Sequence, residues 1–121
     1  MENRDVFDSL MLELRRGTLV LSVLCLLDGA KYGYVLVQTL GGKGITVDAG
    51  TLYPLLRRLE GQGLLQSEWE TTGSKPRKYY KRTEFGTQVY TRLRQSFREL
   101  NASMEMLFEE GEGNDESGTE S

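Results

Sequence analysis

The nine residues 74–82, SKPRKYYKR, form the densest cluster of positive charge in the sequence. They contain five basic side chains, two adjacent tyrosines and no acid. Positive charge concentrated on a short segment attracts polyanions, and it favours contact with phosphate groups. Charged segments also cover the solvated surface of many ordinary domains, so the elements around this cluster decide which interpretation holds.

Side chains that would support catalysis or metal binding are scarce. The chain has no histidine, which removes the usual proton shuttle at neutral pH and the commonest metal ligand. Its single cysteine, Cys25, cannot complete a zinc site or an internal disulfide, and its leucine neighbours predict a buried, unreactive thiol. Glu68 and Glu70 share one face of a predicted strand, where we expect them to be hydrated. We therefore predict no enzyme activity, no cofactor and no metal site.

Helical periodicity and turn residues organise the first half of the chain. Apolar residues recur at helical spacing through residues 5–28. This spacing predicts one long helix or two helices that abut at Gly17. A second helix is predicted at residues 33–40, and the glycines of GGKG end it. Asp48 is a good N-cap for a third helix, because its carboxylate can accept backbone N–H bonds from the first turn.

The third predicted helix combines an apolar back with a polar and basic front. At 100° per residue, four leucines share the back of this helix: Leu52, Leu55, Leu56 and Leu59. The front and its flanks carry Gly50, Thr51, Tyr53, Pro54, Arg57 and Arg58. Pro54 cannot donate a backbone hydrogen bond, at a cost of up to about 3 kcal/mol, so we expect an irregular first turn. Such a break in the local rules often marks a functional surface.

A β-hairpin is predicted after this helix. Residues 64–70 and 77–83 each alternate in the manner of a strand, and the turn between them contains Gly73 and Pro76. An isolated hairpin is marginally stable in water, so it must pack on the helices. We expect Leu65, Trp69 and one of the two tyrosines to anchor it.

Three helices followed by a basic hairpin predict a winged helix-turn-helix, in a mainly α fold with a small β-hairpin. A helix fits the major groove of duplex DNA, its first residues reach base edges, and a basic wing holds phosphates. The predicted DNA contacts are Gly50, Thr51, Tyr53, Pro54, Arg57, Arg58, Lys75, Arg77, Lys78 and Lys81. The alternative is a winged-helix module that binds another protein and not DNA. The positive charge of the wing favours double-stranded DNA as the partner.

Four segments together resemble the PadR family of bacterial and archaeal transcriptional regulators. They are RRGTLVLSVLCLL, YGYVLVQTL, GTLYPLLRRLEGQGLLQSEWE and KPRKYYKRTEFG, over residues 13–90. The combination of GTLYPLLRRLE with RKYY and a following T-x-x-G is the specific part. The resemblance implies a homodimeric winged-helix repressor that binds a palindromic operator and, in many members, releases it on binding a small molecule. With one helix after the wing, the chain resembles the short subclass, some of whose members stack aromatic ligands on a tryptophan of that helix. This sequence has no tryptophan there.

The last predicted helix is long enough to serve as a dimer contact. Thr83 can cap a helix over residues 84–110, which would be roughly 40 Å long. Its apolar residues alternate spacings of three and four, as in a coiled-coil seam: Tyr90, Leu93, Phe97, Leu100, Met104 and Leu107. A stripe at Phe7, Leu10 and Leu14 is expected to pack against the last helix of the partner. We place a small-molecule effector at Phe97, between the subunits; the alternative is that the seam is the core of a monomer.

The predicted organisation is a winged-helix domain at 1–83, a dimerisation helix at 84–110 and a disordered acidic tail at 111–121. The tail is rich in Gly, Ser and Glu and cannot bury enough apolar area to offset its ordering entropy. The start of the chain, MENRDVFDSL, lacks the layout of a signal peptide, and no apolar run is long enough to span a membrane. With a single cysteine, these features predict a cytoplasmic protein with no membrane partner.

Overall fold

A computed structural model describes the backbone of residues 3–118 and the side chains of residues 3–112. The elements in chain order are α1 (Asn3–Leu26), β1 (Lys31–Tyr32), α2 (Gly33–Gly42), α3 (Ala49–Gly61), β2 (Leu65–Glu70), β3 (Arg77–Arg82) and α4 (Glu84–Gly118). The chain divides into two compact units, the first ending at Tyr90 and the second starting at Thr91. Within the described residues, no helix is both long and apolar enough to cross a bilayer.

One leucine-rich cluster forms the core of the first unit. Its buried members come from α1, α2, α3, the β2 region and β3: Val23, Leu24, Leu27, Leu36, Leu40, Leu52, Leu56, Leu59, Leu64, Leu65 and Tyr80. Burying one leucine side chain contributes about 1.5–3 kcal/mol, so this cluster is the main source of stability. The predicted back of α3 is confirmed, since three of its four leucines are buried and Leu55 is partly buried against the cluster.

The wing is a three-stranded antiparallel sheet in the order β1-β3-β2, where the sequence predicts a two-stranded hairpin. The additional strand, β1, has two residues, with Lys31 opposite Tyr80 and Tyr32 opposite Tyr79. Two residues are too few to show the alternation that marks a strand in a sequence. Because α2 begins directly after β1, this pairing fixes the start of α2 beside the wing.

Two of the three predicted anchors of the wing are confirmed. Leu65 and Tyr80 are buried in the core, whereas Trp69 is 61% exposed. Trp69 lies four residues beyond Leu65 on β2, which is about 13 Å along the strand. The prediction that Trp69 anchors the hairpin is therefore wrong, because only the base of the wing reaches the core.

The predicted caps of the last two helices are confirmed. The Asp48 side chain accepts a hydrogen bond from the backbone N–H of Thr51 at 2.8 Å. The Thr83 hydroxyl accepts from the N–H of Gly86 at 2.9 Å and donates to the carbonyl of Gly63 at 2.7 Å. Thr83 therefore both starts α4 and attaches it to the segment that leads into β2.

The first turns of α4 belong to the first compact unit, which ends at Tyr90. Gly86 is buried, and a Cβ atom there would lie 2.0 Å from the carbonyl oxygen of Leu64. The backbone N–H of Thr83 donates to the same oxygen at 3.1 Å. Val89 also packs against the core. Only glycine permits this close approach between α4 and the chain entering β2.

Basic side chains satisfy the carbonyl groups at the end of α1. Lys31 Nζ donates to the carbonyl of Leu26 at 2.6 Å, and Arg82 Nη1 donates to that of Leu24 at 2.7 Å. The Arg82 guanidinium also lies 4.6 Å from the ring centroid of Tyr90. The charge of Lys31 holds the pKa of Asp28 below its ordinary value. Arg82 therefore serves to join α1, β3 and α4.

Two further features differ from the sequence-based predictions. Cys25 is exposed and its sulfur accepts a hydrogen bond from the Tyr90 hydroxyl at 3.4 Å, so the prediction of a buried thiol is wrong. The predicted disordered tail begins at residue 111, but α4 continues to Gly118. No proline interrupts that segment, and once a helix has formed each further residue adds a backbone bond. Residues 119–121 lie outside the described residues.

Candidate nucleic-acid interface

The front of α3 is exposed along its length. The side of the helix opposite the buried leucines presents Gly50, Thr51, Pro54, Arg57 and Arg58, all of them exposed. The helix is continuous from Ala49 to Gly61, with Pro54 inside it. The missing bond of Pro54 concerns the carbonyl of Gly50, an exposed residue whose carbonyl can be hydrated by water.

Tyr53 differs from the other predicted residues of this front. It is partly buried and packs against the core cluster. Its ring lies against the backbone of Gly33, where an added Cβ would be only 2.3 Å from Tyr53 Cε1. On the helical wheel Tyr53 stands at the border between the front and the leucine face, and its ring turns towards α2. Tyr53 therefore sets the packing of α3 on α2.

The register of the wing divides its basic residues between two faces of the sheet. Directly paired residues point to the same face, and successive residues alternate. One face carries the pairs Gln66–Lys81, Glu68–Tyr79 and Glu70–Arg77, and the other carries Leu65–Arg82, Ser67–Tyr80 and Trp69–Lys78. Since Leu65 and Tyr80 are buried, the second face is the inner one. The basic cluster of the sequence is thus not a single patch.

Lys78 lies on the inner face and connects the wing to α3. Its Nζ is 3.8 Å from Glu60 Oε1, and it lies 5.8 Å and 5.5 Å from the ring centroids of Trp69 and Tyr80. The Ser67 hydroxyl donates to the same carboxylate at 2.6 Å. With Glu60 as its partner, Lys78 is half-buried and differs in environment from the other predicted phosphate contacts. Lys75, Arg77 and Lys81 are exposed.

The outer face of the wing combines aromatic rings with a cation. The Arg77 guanidinium carbon lies 5.4 Å from the ring centroid of Tyr32, and its Nη1 donates to the Tyr34 hydroxyl oxygen at 3.4 Å. The Tyr79 hydroxyl donates to Glu68 at 2.9 Å, and this bond raises the pKa of Tyr79. Hydrogen bonds from the Thr72 hydroxyl and backbone N–H hold the pKa of Glu70 below its ordinary value.

A recess of about 320 Å³ lies between α2, α3 and the wing. It is lined by Tyr32, Gly33, Tyr34, Tyr53, Trp69, Arg77, Lys78 and Tyr80. Of these, Tyr53, Arg77 and Lys78 were predicted as contact residues from the sequence. The hydroxyls of Tyr32 and Tyr34 were weighed as phosphate contacts, with packing preferred for Tyr34. Their common location depends on β1, which brings Tyr32 and Tyr34 beside β3 from more than forty residues away. The site as a whole offers an exposed helix front and, beside it, outward-facing cations.

Comparison with known proteins decides the family. The sequence profile of the Transcriptional regulator PadR-like family matches residues 20–92. A solved PadR family transcriptional regulator from Eggerthella lenta is 50% identical and has a TM-score of 0.82, over 87% of this chain and 94% of that chain. The chain belongs to the PadR-like family of transcriptional regulators.

Two further relatives support this assignment. A transcriptional regulator from Mycobacterium tuberculosis is 40% identical over 73 residues, which are 60% of this chain and 68% of the relative. Bacillus subtilis PadR, solved in complex with operator DNA, is 25% identical with a TM-score of 0.58, over 63% of this chain and 45% of that chain. The resemblance to the PadR family and the winged-helix fold are thereby confirmed.

Two apolar stripes of this PadR-like chain are exposed, one in each unit. In the first unit, Phe7, Leu10 and Leu14 of α1 are exposed, Leu14 to 69%. In the second unit every side chain from residue 91 to 112 is exposed, including the seam residues Leu93, Phe97, Leu100, Met104 and Leu107. Exposed apolar surfaces of this kind mark interaction sites. The sequence-based prediction omitted Val6, Leu12, Met106 and Phe108, which are also exposed.

Tyr90 stands apart from the rest of the predicted seam. It is partly buried in the first unit, where its ring packs under Arg82 and its hydroxyl donates to Cys25. The seam pattern places it in line with Leu93, but its position within the winged-helix unit gives it contacts of its own. We therefore expect Tyr90 to contribute less to a subunit interface than the residues after it.

Proposed function

We propose that this PadR-like regulator is a homodimeric repressor that binds a palindromic DNA operator in a sequence-specific manner. The observation that carries the proposal is the two-sided character of α3. Three of its leucines are buried in the core, while its front is exposed beside a wing that carries the exposed cations Lys75, Arg77 and Lys81. The complex of B. subtilis PadR with operator DNA supports a DNA-binding role for the same fold.

In this proposal the front of α3 enters the major groove. Gly50 has no side chain and Pro54 presents a flat ring, so both permit close approach of the helix backbone. Thr51, Arg57 and Arg58 supply hydroxyl and guanidinium donors for base edges and phosphates. The wing cations contact phosphates outside the groove. Tyr53 and Lys78, with contacts inside the unit, position α3 and the wing.

The homodimer follows from the need to recognise two half-sites. One winged helix reads one half-site, and a twofold dimer places two recognition helices about 34–36 Å apart, one turn of DNA. Burial of the exposed stripes of α1 and α4 between the subunits would remove them from water. We further propose that a small molecule held near Phe97 changes this spacing and releases the operator. A regulator of this kind acts in the cytoplasm, where bacterial DNA is found.

The first experiment is selection of bound duplexes from a random library, followed by titration of the recovered operator at several salt concentrations. If Lys75 and Lys81 contact phosphates, each alanine substitution removes two contacts per dimer, and the slope of log K against log salt flattens by about 1.8. Lys78→Ala removes the same charge from the inner face, so it is the matched control and should flatten the slope less. Unchanged slopes for Lys75→Ala and Lys81→Ala would exclude the wing from the DNA.

Specificity is tested separately at α3. Arg57→Ala should reduce the discrimination between operator and random DNA by roughly 1–3 kcal/mol if a good base contact is lost. Equal weakening on both DNAs would mean that Arg57 contacts only the backbone. If the library selection enriches no sequence, the winged helix binds something other than an operator, and the protein-binding alternative gains support.

A further inference from the structure

Arg77 forms no salt bridge with an acidic residue of the described chain. It is exposed on the outer face of the wing and stands directly opposite Glu70 in the register of β2 and β3. Such a cross-strand pair would ordinarily form a salt bridge. Arg77 nevertheless makes no ion pair with any residue from 3 to 112, whereas Lys78, its neighbour on the inner face, is within 3.8 Å of Glu60.

The reason lies in the turn that follows β2. Glu70 Oε1 accepts hydrogen bonds from the Thr72 hydroxyl at 2.5 Å and from the Thr72 backbone N–H at 3.1 Å. These two bonds hold the carboxylate on its own strand end, where it attracts Arg77 electrostatically but forms no salt bridge with it. The guanidinium therefore keeps its charge available for an external anion.

Two tyrosines hold Arg77 in place. The guanidinium lies over the ring of Tyr32 and donates one N–H to the hydroxyl oxygen of Tyr34. The Tyr32 and Tyr34 rings stack with centroids 5.9 Å apart and planes 11° apart, and Tyr79 meets Tyr32 edge-on at 5.9 Å. A guanidinium fixed in this way loses less conformational freedom when it binds than a mobile lysine does.

We propose that Arg77 and Tyr34 together form a binding site for one phosphodiester group of the DNA backbone, and that Tyr32 positions Arg77 within it. Arginine has further N–H donors beyond the one given to Tyr34. The Tyr34 hydroxyl accepts from Arg77 and keeps its own proton, which it can donate. A phosphodiester has two non-bridging oxygens, so one group can accept from both residues at once. This inference rests on the proposed DNA-binding function.

The arrangement fits a phosphodiester chain better than a small anion. Lys81 lies on the same face of β3, four residues from Arg77, which is about 13 Å along the strand. One small anion cannot contact both cations, but a nucleic-acid backbone that follows the strand can. Because Tyr34 belongs to α2 and Arg77 to β3, the same phosphate would also fix the wing relative to α2.

The test is a double-mutant cycle on the operator obtained by selection. For the dimer, Tyr34→Phe should weaken binding about tenfold, from one lost hydrogen bond at each half-site. Arg77→Gln should weaken it further and flatten the salt slope by about 1.8. In the Arg77→Gln background, Tyr34→Phe should weaken operator binding by less than about threefold, because Arg77 no longer holds the shared phosphate beside Tyr34. Tyr79→Phe, the matched control, removes a hydroxyl from the same face and should leave affinity within about twofold.

Tyr32 is tested by rescue. Tyr32→Leu removes the ring beneath Arg77 and should weaken operator binding, whereas Tyr32→Phe, which keeps the ring, should restore most of the wild-type affinity. Thermal unfolding of each variant shows whether the effect is one of folding. A methylphosphonate scan of the operator should contain one position per half-site at which the neutral linkage abolishes the cost of Tyr34→Phe.

The outcomes separate this site from the DNA-binding proposal. The phosphodiester site of Arg77 and Tyr34 is refuted if Tyr34→Phe binds the operator like the wild type, or if Tyr34→Phe weakens binding equally with and without Arg77. In either case, flattened salt slopes for Lys75→Ala and Lys81→Ala would still support the DNA-binding proposal. If the wild-type protein selects no DNA, both proposals fail.

Discussion

Replacing Gly86 with alanine tests whether close backbone packing fixes α4 to the winged-helix unit. Gly86 is buried in the first turn of α4, and its new methyl group would lie 2.0 Å from the carbonyl oxygen of Leu64 and 3.0 Å from the carbonyl carbon. Both are backbone atoms, so rotation of a side chain cannot relieve the clash. The helix must move away from the segment that enters β2. This movement strains the bonds of Thr83 to the carbonyls of Gly63 and Leu64.

The magnitude follows from three contributions to the free energy of unfolding. Inserting a methyl group where there is no room costs about 1–3 kcal/mol. Weakening the two hydrogen bonds of Thr83 adds about 1 kcal/mol each. Alanine is the better helix former, which returns about 1 kcal/mol. The net loss is about 2–4 kcal/mol, and at about 4 °C per kcal/mol the thermal midpoint should fall by roughly 8–16 °C.

The assay is thermal unfolding followed by circular dichroism, at one fixed protein concentration because dimerisation also affects the midpoint. Gly41→Ala is the matched control. Gly41 is an exposed helical residue of α2, and an added Cβ there meets no atom within 4 Å. The control should be unchanged or more stable by up to about 1 kcal/mol. A Gly86→Ala variant as stable as the wild type would refute the argument that α4 requires glycine at this contact.

Three further perturbations test the dimer, the turn of the wing and the end of the chain. Replacing both Leu93 and Leu100 with Asp should yield a monomer, or an unfolded chain, that no longer binds the operator tightly; a folded variant that remains dimeric by light scattering would refute the seam. Thr72→Val should raise the pKa of Glu70 towards its ordinary value, because it removes the side-chain hydrogen bond that lowers this pKa most. Because the pKa of Glu70 is lowered in the folded state, the stabilisation from its hydrogen bonds is present at neutral pH and is lost as the pH falls through the lowered value. An NMR titration that finds the same pKa for Glu70 in the wild type and in Thr72→Val would contradict this. Deleting residues 111–121 should leave the thermal midpoint nearly unchanged and tighten non-specific DNA binding, since the segment carries negative charge and no large apolar side chain. A large fall in the midpoint would show that the segment is docked.

Three features that depend on neighbours in the sequence were predicted correctly: the buried face of α3, two helix caps and the family motifs. The leucine spacing of α3 specifies its buried face, because a helix brings residues three and four apart to the same side. The caps Asp48 and Thr83 act on N–H groups three residues away, so their role is also visible in the sequence. The motifs from GTLYPLLRRLE to RKYY identify the PadR-like family for the same reason, since they are continuous segments.

The tertiary structure decided the features that join distant segments. The sequence shows five bases between residues 74 and 82, but only the register of β3 shows that Arg77 and Lys81 face outward while Lys78 and Arg82 are held against other elements. A strand alternates its faces at every residue, so a charge cluster is divided as soon as one face is buried.

The candidate phosphate site shows the same limit most clearly. Tyr34 and Arg77 are 43 residues apart, and the two-residue strand β1 that brings them together carries no pattern of its own. The sequence by itself determined the helices, their caps, the leucine core of α3 and the family. Only the tertiary structure decided which polar side chains remain available at the surface, because that depends on which of them the packed elements already engage.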